Sequence, residues 1–173
     1  MHCPHSPTPQ EYLWLRLPLH SHFMFICVLY RPQISDDSIY TSLAENMDQL
    51  LSSHPNSLFL TCGDFNCHHA SQRGVGTSLT YHGTSAKAFC DSLGLTQSVN
   101  FLTRISTNGT LSLLDLILTN FPENICCSSS APIGSSDHVL VKVDISLAVI
   151  REPPQRRRSL KPTGRVSKHP LNL

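Results

Sequence analysis

The 173-residue chain lacks the features that mark secreted and membrane proteins. Residues 1–10 have neither a basic start nor an apolar core, so we expect no secretory signal peptide. The longest apolar run, residues 23–29, is far shorter than the roughly 20 residues that span a bilayer. The seven cysteines follow no regular spacing, which favours free thiols in a reducing compartment. We therefore expect a soluble intracellular protein with no membrane partner.

Charge is also scarce, because Asp, Glu, Lys and Arg together make up only 14% of the chain. Seven of the 13 basic residues follow Ile150, and only Glu152 opposes them there. Residues 1–150 consequently carry a formal charge of −5, although the whole chain carries +1. An acidic body suits a protein that binds a divalent metal, whereas a surface that binds a polyanion is usually basic. Any basic attraction for nucleic acid is therefore expected in the tail.

The length fits a single domain with a real core, and no internal repeat is present. We expect a disordered N-terminus over residues 1–10, a folded domain over residues 11–150 and a basic, disordered tail over residues 151–173. Hydrophobic periodicity predicts the order strand, strand, helix, strand, helix, hairpin, strand. This order indicates a mixed α/β or α+β layered domain, with polar loops gathered at strand ends.

Alternating or continuous apolar patterns predict strands over residues 12–17, 23–30, 57–62, 126–130 and 139–147. The second strand is apolar nearly throughout, which indicates that both of its faces are covered. Two further segments, residues 101–105 and 111–118, are predicted to pair as a hairpin around an Asn108-Gly109 turn. The Ser, Thr and Gly-rich residues 68–82 are typical of a functional surface loop.

Two helices are predicted between these strands. Asp36 or Asp37 can cap the first helix, whose apolar face would comprise Ile39, Leu43, Met47, Leu50 and Leu51. The second helix is expected to start at Thr84 or Ser85 and to end at Gly94. Its buried residues would be Ala86, Phe89 and Leu93.

Three apolar segments carry acidic residues where a core would not accept them. Asp64 and Asn66 follow the third strand, next to Gly63, which permits a sharp turn. Asp115 interrupts the apolar run 113–118, and Asp137-His138 precedes the last strand. A carboxylate inside so apolar a run needs a partner, because burying it alone costs several kcal/mol.

His138 is the expected partner of Asp115, since a carboxylate bonded to one imidazole nitrogen orients the ring and favours its charged form. Asp64 would then take a proton from a water molecule, and Asp137 would ligate a hard cation such as Mg²⁺. Such a set suits the hydrolysis of a phosphodiester, which requires a placed water and neutralised charge.

Each of these interpretations has a simpler alternative. Residues 63–66 are ordinary turn residues, and Asp115 with His138 is also compatible with a structural ion pair. Zinc is disfavoured because the candidate ligands lack regular spacing; they are Cys62, Cys67, His68 and His69. The run Arg156-Arg157-Arg158 is most simply a solvated tail, with nuclear targeting or nucleic-acid contact as the alternative.

Several ordered motifs resemble those of the endonuclease/exonuclease/phosphatase superfamily. They are Tyr30-Arg31-Pro32, Gly63-Asp64-Phe65-Asn66, Thr103-Arg104, Leu114-Asp115-Leu116-Ile117-Leu118-Thr119-Asn120 and Ser136-Asp137-His138. The residues of these motifs are most similar to those in the endonuclease domain of non-LTR (LINE-type) retrotransposons, relatives of the abasic-site endonucleases. The resemblance covers about residues 12–148.

This resemblance implies a four-layered α/β sandwich and Mg²⁺-dependent nicking of DNA, with Mn²⁺ as an alternative ion. By position, Tyr30 would contact the phosphate. Asp64 would activate the attacking water, and Asn66 would position that water or the phosphate. Arg104 would be an accessory phosphate-contacting or structural residue. The resemblance further implies that Asp115 orients His138, that His138 binds the scissile phosphate and that Asp137 serves the metal.

The chain also departs from this family. Members begin with a further half-domain, whose early strands supply an Asn and the main metal-binding Glu. Here only residues 1–10 precede the first recognisable strand, and Glu11 has the wrong context to replace that Glu. We therefore expect only the C-terminal part of the sandwich, with an exposed sheet edge that promotes self-association.

Three functions remain compatible with the sequence. The first is a nuclear, retrotransposon-derived DNA endonuclease, impaired by loss of its N-terminal half. The second is a catalytically inactive remnant or nucleic-acid-binding module. The third is a phosphatase or phosphodiesterase for small molecules, which the shared fold permits.

Overall fold

The computed structural model describes residues 12–33, 37–67 and 81–147. Some predictions lie outside these residues. They are the disordered N-terminus, Glu11, capping by Asp36, His68 and His69 as zinc ligands, residues 68–80 of the loop predicted over 68–82, and the basic tail.

In chain order, the described residues form β1 (Tyr12–Pro18), β2 (Phe23–Tyr30), α1 (Ser38–Ser53), β3 (Leu58–Asp64), α2 (Tyr81–Ser92), β4 (Thr96–Gln97), β5 (Arg104–Ile105), β6 (Leu111–Ser112), β7 (Asp115–Thr119), β8 (Ile125–Ser130) and β9 (Leu140–Ile145). A short 3₁₀ turn over Pro122–Asn124 precedes β8. The predicted mixed α/β architecture is confirmed.

A five-stranded sheet in the order β1-β2-β3-β7-β4 forms the centre of the fold. β2 and β3 are parallel, whereas the β1–β2, β3–β7 and β4–β7 pairs are antiparallel. The helix α1 makes the crossover between the parallel pair, as parallel neighbours require a long connection. The parallel β2–β3 pair and the β3–β7 pair therefore bring three strand ends to one edge of the sheet.

One face of this sheet packs against α1. Trp14 lies edge-on to Phe59, and Phe25 stacks on the same ring. The other face is partly open, because Leu13 and Leu15 on β1 are 60% and 47% exposed and Val28 on β2 is 45% exposed. The prediction that both faces of β2 are covered is therefore wrong at Val28.

Helix α1 confirms the predicted apolar face, with Leu43 and Met47 buried. Tyr40, which was not predicted, is buried beside them. Asp37 occupies the N-cap position but makes no side-chain capping bond; its carboxylate instead accepts hydrogen bonds from Arg31 and Ser85. Capping by the Asp37 side chain is therefore wrong, because the carboxylate pairs with other elements.

Helix α2 starts at Tyr81, so the predicted start at Thr84 or Ser85 is wrong by about one turn. Its predicted core residues Ala86 and Phe89 are buried. Gly94 follows the helix with φ of 63°, as expected for a glycine that ends a helix.

The predicted hairpin is present but much shorter than expected. Only β5 and β6 pair around the Asn108-Gly109 turn, and β7 leaves them to join the central sheet between β3 and β4. The cause is Thr103, whose hydroxyl accepts hydrogen bonds from the main-chain N–H groups of Leu114 and Asp115. These contacts replace the next steps of the hairpin ladder.

The last two long strands, β8 and β9, form a separate antiparallel ribbon. Val141, Val143 and Ile145 are half-buried against the core, while Lys142 and Asp144 between them are exposed. This alternation confirms the predicted strand with one wet face.

The six cysteines within the described residues are free, as predicted. Among the described residues, no helix is long and apolar enough to cross a membrane.

Candidate active site

The site is organised by a row of three residues across neighbouring strands. Tyr30 at the end of β2 is the register partner of Asp64 at the end of β3, and Asp64 is the register partner of Asp115 at the start of β7. Because directly opposed residues project from the same face of a sheet, the three side chains share one face and one edge. Two carboxylates and a phenol thus meet where the chain leaves the sheet.

The Gly63-Asp64-Phe65-Asn66 segment separates its polar groups from its apolar one. Phe65 is fully buried and stacks on Tyr40. The Asp64 carboxylate accepts hydrogen bonds from the main-chain N–H of Asn66, at 3.0 Å, and from its Nδ2, at 3.1 Å. Phe65 therefore anchors the turn while Asp64 and Asn66 remain paired at the sheet edge.

Gly63 has a different role from the sharp turn predicted for it. It lies inside β3 with φ of 142°, and a Cβ built at this position would lie 1.8 Å from the carbonyl oxygen of Leu29. Glycine is required because β2 and β3 approach closely immediately before Asp64. The turn itself follows at Asn66, whose φ is 44°, a conformation that Asn tolerates better than most residues.

The predicted pair of Asp115 and His138 is present. His138 Nδ1 lies 2.8 Å from Asp115 Oδ2, and both side chains are about three-quarters buried. This contact fixes the ring plane and leaves Nε2 as the ring nitrogen directed away from Asp115. The geometry is compatible with a histidine oriented to donate a hydrogen bond to an anion.

Asp137 is held by Arg104. Arg104 Nε donates to Asp137 Oδ2 at 2.7 Å, and this hydrogen bond holds the pKa of the Asp137 carboxyl below its usual range. The other carboxylate oxygen, Oδ1, lies 4.0 Å from His138 Nε2. Asp137 therefore stays ionised and completes a polar cluster around the free nitrogen of His138.

Main-chain contacts join the β5 region to the loop that carries these residues. Arg104 and His138 form an isolated antiparallel bridge. The N–H of Ile105 donates to the carbonyl of Asp137, and the N–H of Val139 donates to the carbonyl of Thr103, each at 2.8 Å. The loop before β9 is thus fixed against the sheet edge by main-chain hydrogen bonds.

Burial raises the pKa of Asp64, and the neighbouring negative charge of Asp115 acts in the same direction. The main-chain hydrogen bond from Asn66 and the positive charges of His138 and Arg104 oppose this effect. Because burial is the largest of these causes, Asp64 is a stronger base than an ordinary aspartate. A carboxylate of this kind is suited to accept a proton.

The donor set suits a hard cation. The carboxylates of Asp64, Asp115 and Asp137 provide oxygen ligands, which Mg²⁺ prefers. Within residues 12–33, 37–67 and 81–147, no group of three or more His, Cys, Asp or Glu side chains is gathered as a metal centre. Mg²⁺ commonly binds through one or two carboxylates and keeps several waters, so a site for it does not require a cluster of three protein ligands.

The zinc alternative finds no support at the cysteines that the structure describes. Cys67 is fully buried, and burial raises its pKa to about 11. A thiol enclosed in the apolar core is not placed to share an ion with other ligands. Burial also raises the pKa of the Cys62 thiol.

All seven predicted site residues gather at this edge, but sequence analysis missed two residues that support them. Arg31 is fully buried, and its carbonyl accepts a hydrogen bond from Asn66 Nδ2 at 2.9 Å. Thr103, also fully buried, fixes the start of β7 at Asp115. Both lie within quoted motifs, Tyr30-Arg31-Pro32 and Thr103-Arg104, but neither has a predicted role there. A charge directly after an apolar strand is the signal that could have identified Arg31.

The chain matches a family model described as endonuclease-reverse transcriptase over residues 24–142. Among solved structures, it is similar to the endonuclease domain of TRAS1, a telomere-specific non-LTR retrotransposon, with a TM-score of 0.63 and 15% sequence identity. That alignment covers 80% of this chain and 64% of the TRAS1 domain. The similarity establishes the fold.

A weaker similarity links the chain to an endonuclease/exonuclease/phosphatase family protein from Leptotrichia buccalis, with a TM-score of 0.47 and 16% identity. It covers 79% of this chain and 54% of that one. The chain thus spans less than two thirds of either structure. No curated protein sequence matches it significantly.

Proposed function

Because the chain belongs to the endonuclease-reverse transcriptase family, with a fold of the endonuclease/exonuclease/phosphatase type, we propose that it acts on DNA as a Mg²⁺-dependent phosphodiester hydrolase of retrotransposon origin. The observation that carries this proposal is the Asp115–His138 hydrogen bond of 2.8 Å. It lies next to Asp64, the register partner of Asp115. A proton acceptor and an oriented imidazole at one sheet edge suit the attack of water on a phosphate.

In this mechanism, Asp64 takes a proton from water while the water oxygen bonds to phosphorus and the bond to the leaving sugar oxygen breaks. Burial favours this role because it raises the pKa of Asp64. Asn66 holds the Asp64 carboxylate through two hydrogen bonds. Asp115 keeps the His138 ring in place, so that Nε2 can donate to the phosphate. Tyr30, which is 50% exposed, is available to contact the same group.

Asp137 would hold Mg²⁺, or Mn²⁺ in its place, and the bound ion would supply positive charge against the phosphate. Arg104 keeps the Asp137 carboxyl ionised and therefore ready to bind a cation. A DNA substrate implies a nuclear location, which we propose together with the activity.

A plasmid assay tests this function. The unaltered chain should convert supercoiled DNA to the nicked form with Mg²⁺ and lose this activity with EDTA. Asp64→Asn should slow nicking by about 10²–10⁴-fold, the usual contribution of a catalytic base. Asp48→Asn is the matched control, since Asp48 is an exposed aspartate on α1.

Equal rates for Asp64→Asn and Asp48→Asn would contradict the proposal. Measurable DNA binding without nicking by the unaltered chain would favour the alternative, an inactive nucleic-acid-binding remnant. Cleavage of a small phosphate monoester in preference to DNA would favour a phosphatase.

We further infer that the chain self-associates through β1. Within the described part of the chain, β1 pairs only with β2, and Leu13, Leu15 and Leu17 on the open face of the sheet are exposed. An edge strand that carries exposed apolar side chains promotes pairing with another strand. Sedimentation velocity should show dimers or larger species, and Leu15→Lys should shift them towards the monomer. A monomer at all concentrations would contradict the inference.

A further inference from the structure

A buried ionic bridge lies directly beneath the Asp64–Asn66 turn. Arg31 Nη2 donates to Asp37 Oδ1 at 3.3 Å, and the hydroxyl of Ser85 donates to Asp37 Oδ2. The Arg31 side chain is fully buried and that of Asp37 is 17% exposed. The bridge joins the end of β2, the start of α1 and the first turns of α2.

The main chain of Arg31 contacts both residues of the turn. Its N–H donates to the carbonyl of Asp64, and its carbonyl accepts from Asn66 Nδ2, each at 2.9 Å. The position of Arg31 therefore determines where the Asp64 main chain and the Asn66 side chain lie. Tyr30, the preceding residue, belongs to the candidate site itself.

These contacts also fix which way the Asn66 amide points. Its Nδ2 faces two acceptors, the Arg31 carbonyl and Asp64 Oδ2. A flipped amide would place an oxygen against both acceptors, so only one orientation satisfies the network. The amide oxygen then faces away from them, towards Gln33 Nε2 at 3.5 Å.

A buried ion pair of this kind contributes little net stability, because desolvation offsets the attraction. In some proteins such a pair instead selects one arrangement over its alternatives. Here the arrangement is the position of the Arg31 main chain. Asn66, with its φ of 44°, must bond to that main chain while it holds the Asp64 carboxylate.

We propose that Arg31 is a positioning residue for the hydrolytic site, and that its buried bridge to Asp37 and Ser85 fixes the Asn66 amide against Asp64. This role rests on the proposed function, since it assigns Arg31 to the same site. Arg31 acts through Asn66 and does not itself touch the substrate.

The first test is a measurement that does not require activity. Hydrogen exchange of the Asn66 side-chain amide, followed by NMR, should be about tenfold faster in Arg31→Met, because a protecting hydrogen bond is weakened. Met47→Ala provides the matched control, since Met47 is an apolar core residue of α1 and its truncation also lowers stability. This control should leave the Asn66 exchange rate unchanged.

Nicking provides the second readout. Arg31→Met should lower kcat about tenfold with little change in KM, because the substrate-contacting groups remain, and Arg31→Lys should recover part of the loss. If Arg31→Met does not fold, Asp37→Asn and Ser85→Ala weaken the same bridge more gently. Both should accelerate exchange of the Asn66 side-chain amide, Asp37→Asn more than Ser85→Ala. Unchanged exchange in folded bridge variants, or equal acceleration in Met47→Ala, would overturn the proposal. An inactive unaltered chain would instead refute the proposed function and leave the exchange result valid.

Discussion

Gly63 offers the sharpest test of the geometry on which the site depends. Its φ of 142° lies in a region that side chains rarely adopt, and an added Cβ would lie 1.8 Å from the carbonyl oxygen and 2.8 Å from the carbonyl carbon of Leu29. Main-chain atoms cannot rotate away as a side chain can. The substitution Gly63→Ala therefore forces β2 and β3 apart next to Asp64.

The expected cost has two parts. Forcing extra volume into a packed site costs about 1–3 kcal/mol, and the unfavourable φ adds about 1–3 kcal/mol. Gly63→Ala should therefore lower the free energy of unfolding by about 2–6 kcal/mol, a large part of the stability of a small domain. Gly109→Ala is the matched control, because Gly109 has φ of 82° but no atom within 4 Å of an added Cβ. Its cost should be the conformational part alone, about 1–2 kcal/mol.

Urea unfolding followed by circular dichroism measures both losses, provided that the slope of the transition is unchanged. Nicking should fall further in Gly63→Ala than in Gly109→Ala at temperatures where both are folded, since Tyr30 and Asp64 lie at the displaced strand ends. Equal losses of stability in the two variants would contradict the close approach of Leu29 to Gly63. The register that aligns Tyr30 with Asp64 would then be wrong as well.

Three further predictions concern the residues around this edge. Thr103→Val should lower the free energy of unfolding by about 1–3 kcal/mol, because the buried N–H groups of two residues lose their acceptor; Thr103→Ser should retain most of it in the same urea assay. Arg104→Gln should raise the pKa of Asp137 towards its usual value, and an unchanged value by carboxyl NMR would contradict the assigned pairing. Nicking should fail as pH drops through the raised pKa of Asp64, because the base must be ionised. The acid limb of the pH–rate profile should therefore lie at higher pH than for an ordinary aspartate. Replacing Asn66 by Ala should move it higher still, because the carboxylate loses the Nδ2 donor.

Long, strongly patterned elements could be predicted from the sequence. β2 was placed at its observed bounds, and the buried face of α1 was correct at Leu43 and Met47. β4 and the two strands of the β5–β6 hairpin have only two residues each, too few to produce a periodicity. The departure of β7 from the hairpin could not be read either, since it depends on a hydroxyl of Thr103 reaching main-chain groups 11 and 12 residues later.

The site followed the same division between local and long-range information. Spaced motifs identified Asp64, Asp115 and His138, and a carboxylate in an apolar run indicated that Asp115 needed a partner. The attachment of Asp137 to Arg104, 33 residues away, required the loop before β9 to cross β5. That crossing is made by main-chain hydrogen bonds, which leave no trace in residue type.

The site is held together by contacts between the central sheet and the loop before β9. Asp64 belongs to the central sheet, whereas His138 reaches it on a loop that is fixed through Thr103, Arg104 and the hydrogen bond to Asp115. Within the loop itself, the two halves of the chemistry are joined by a few polar contacts at a partly exposed edge, and apolar packing begins only with β9. Polar contacts of this kind each contribute only about 0.5–1.5 kcal/mol, so the loop can separate from the sheet while the core stays folded. Nicking activity should then be lost at a lower urea concentration than the circular dichroism signal of the central sheet.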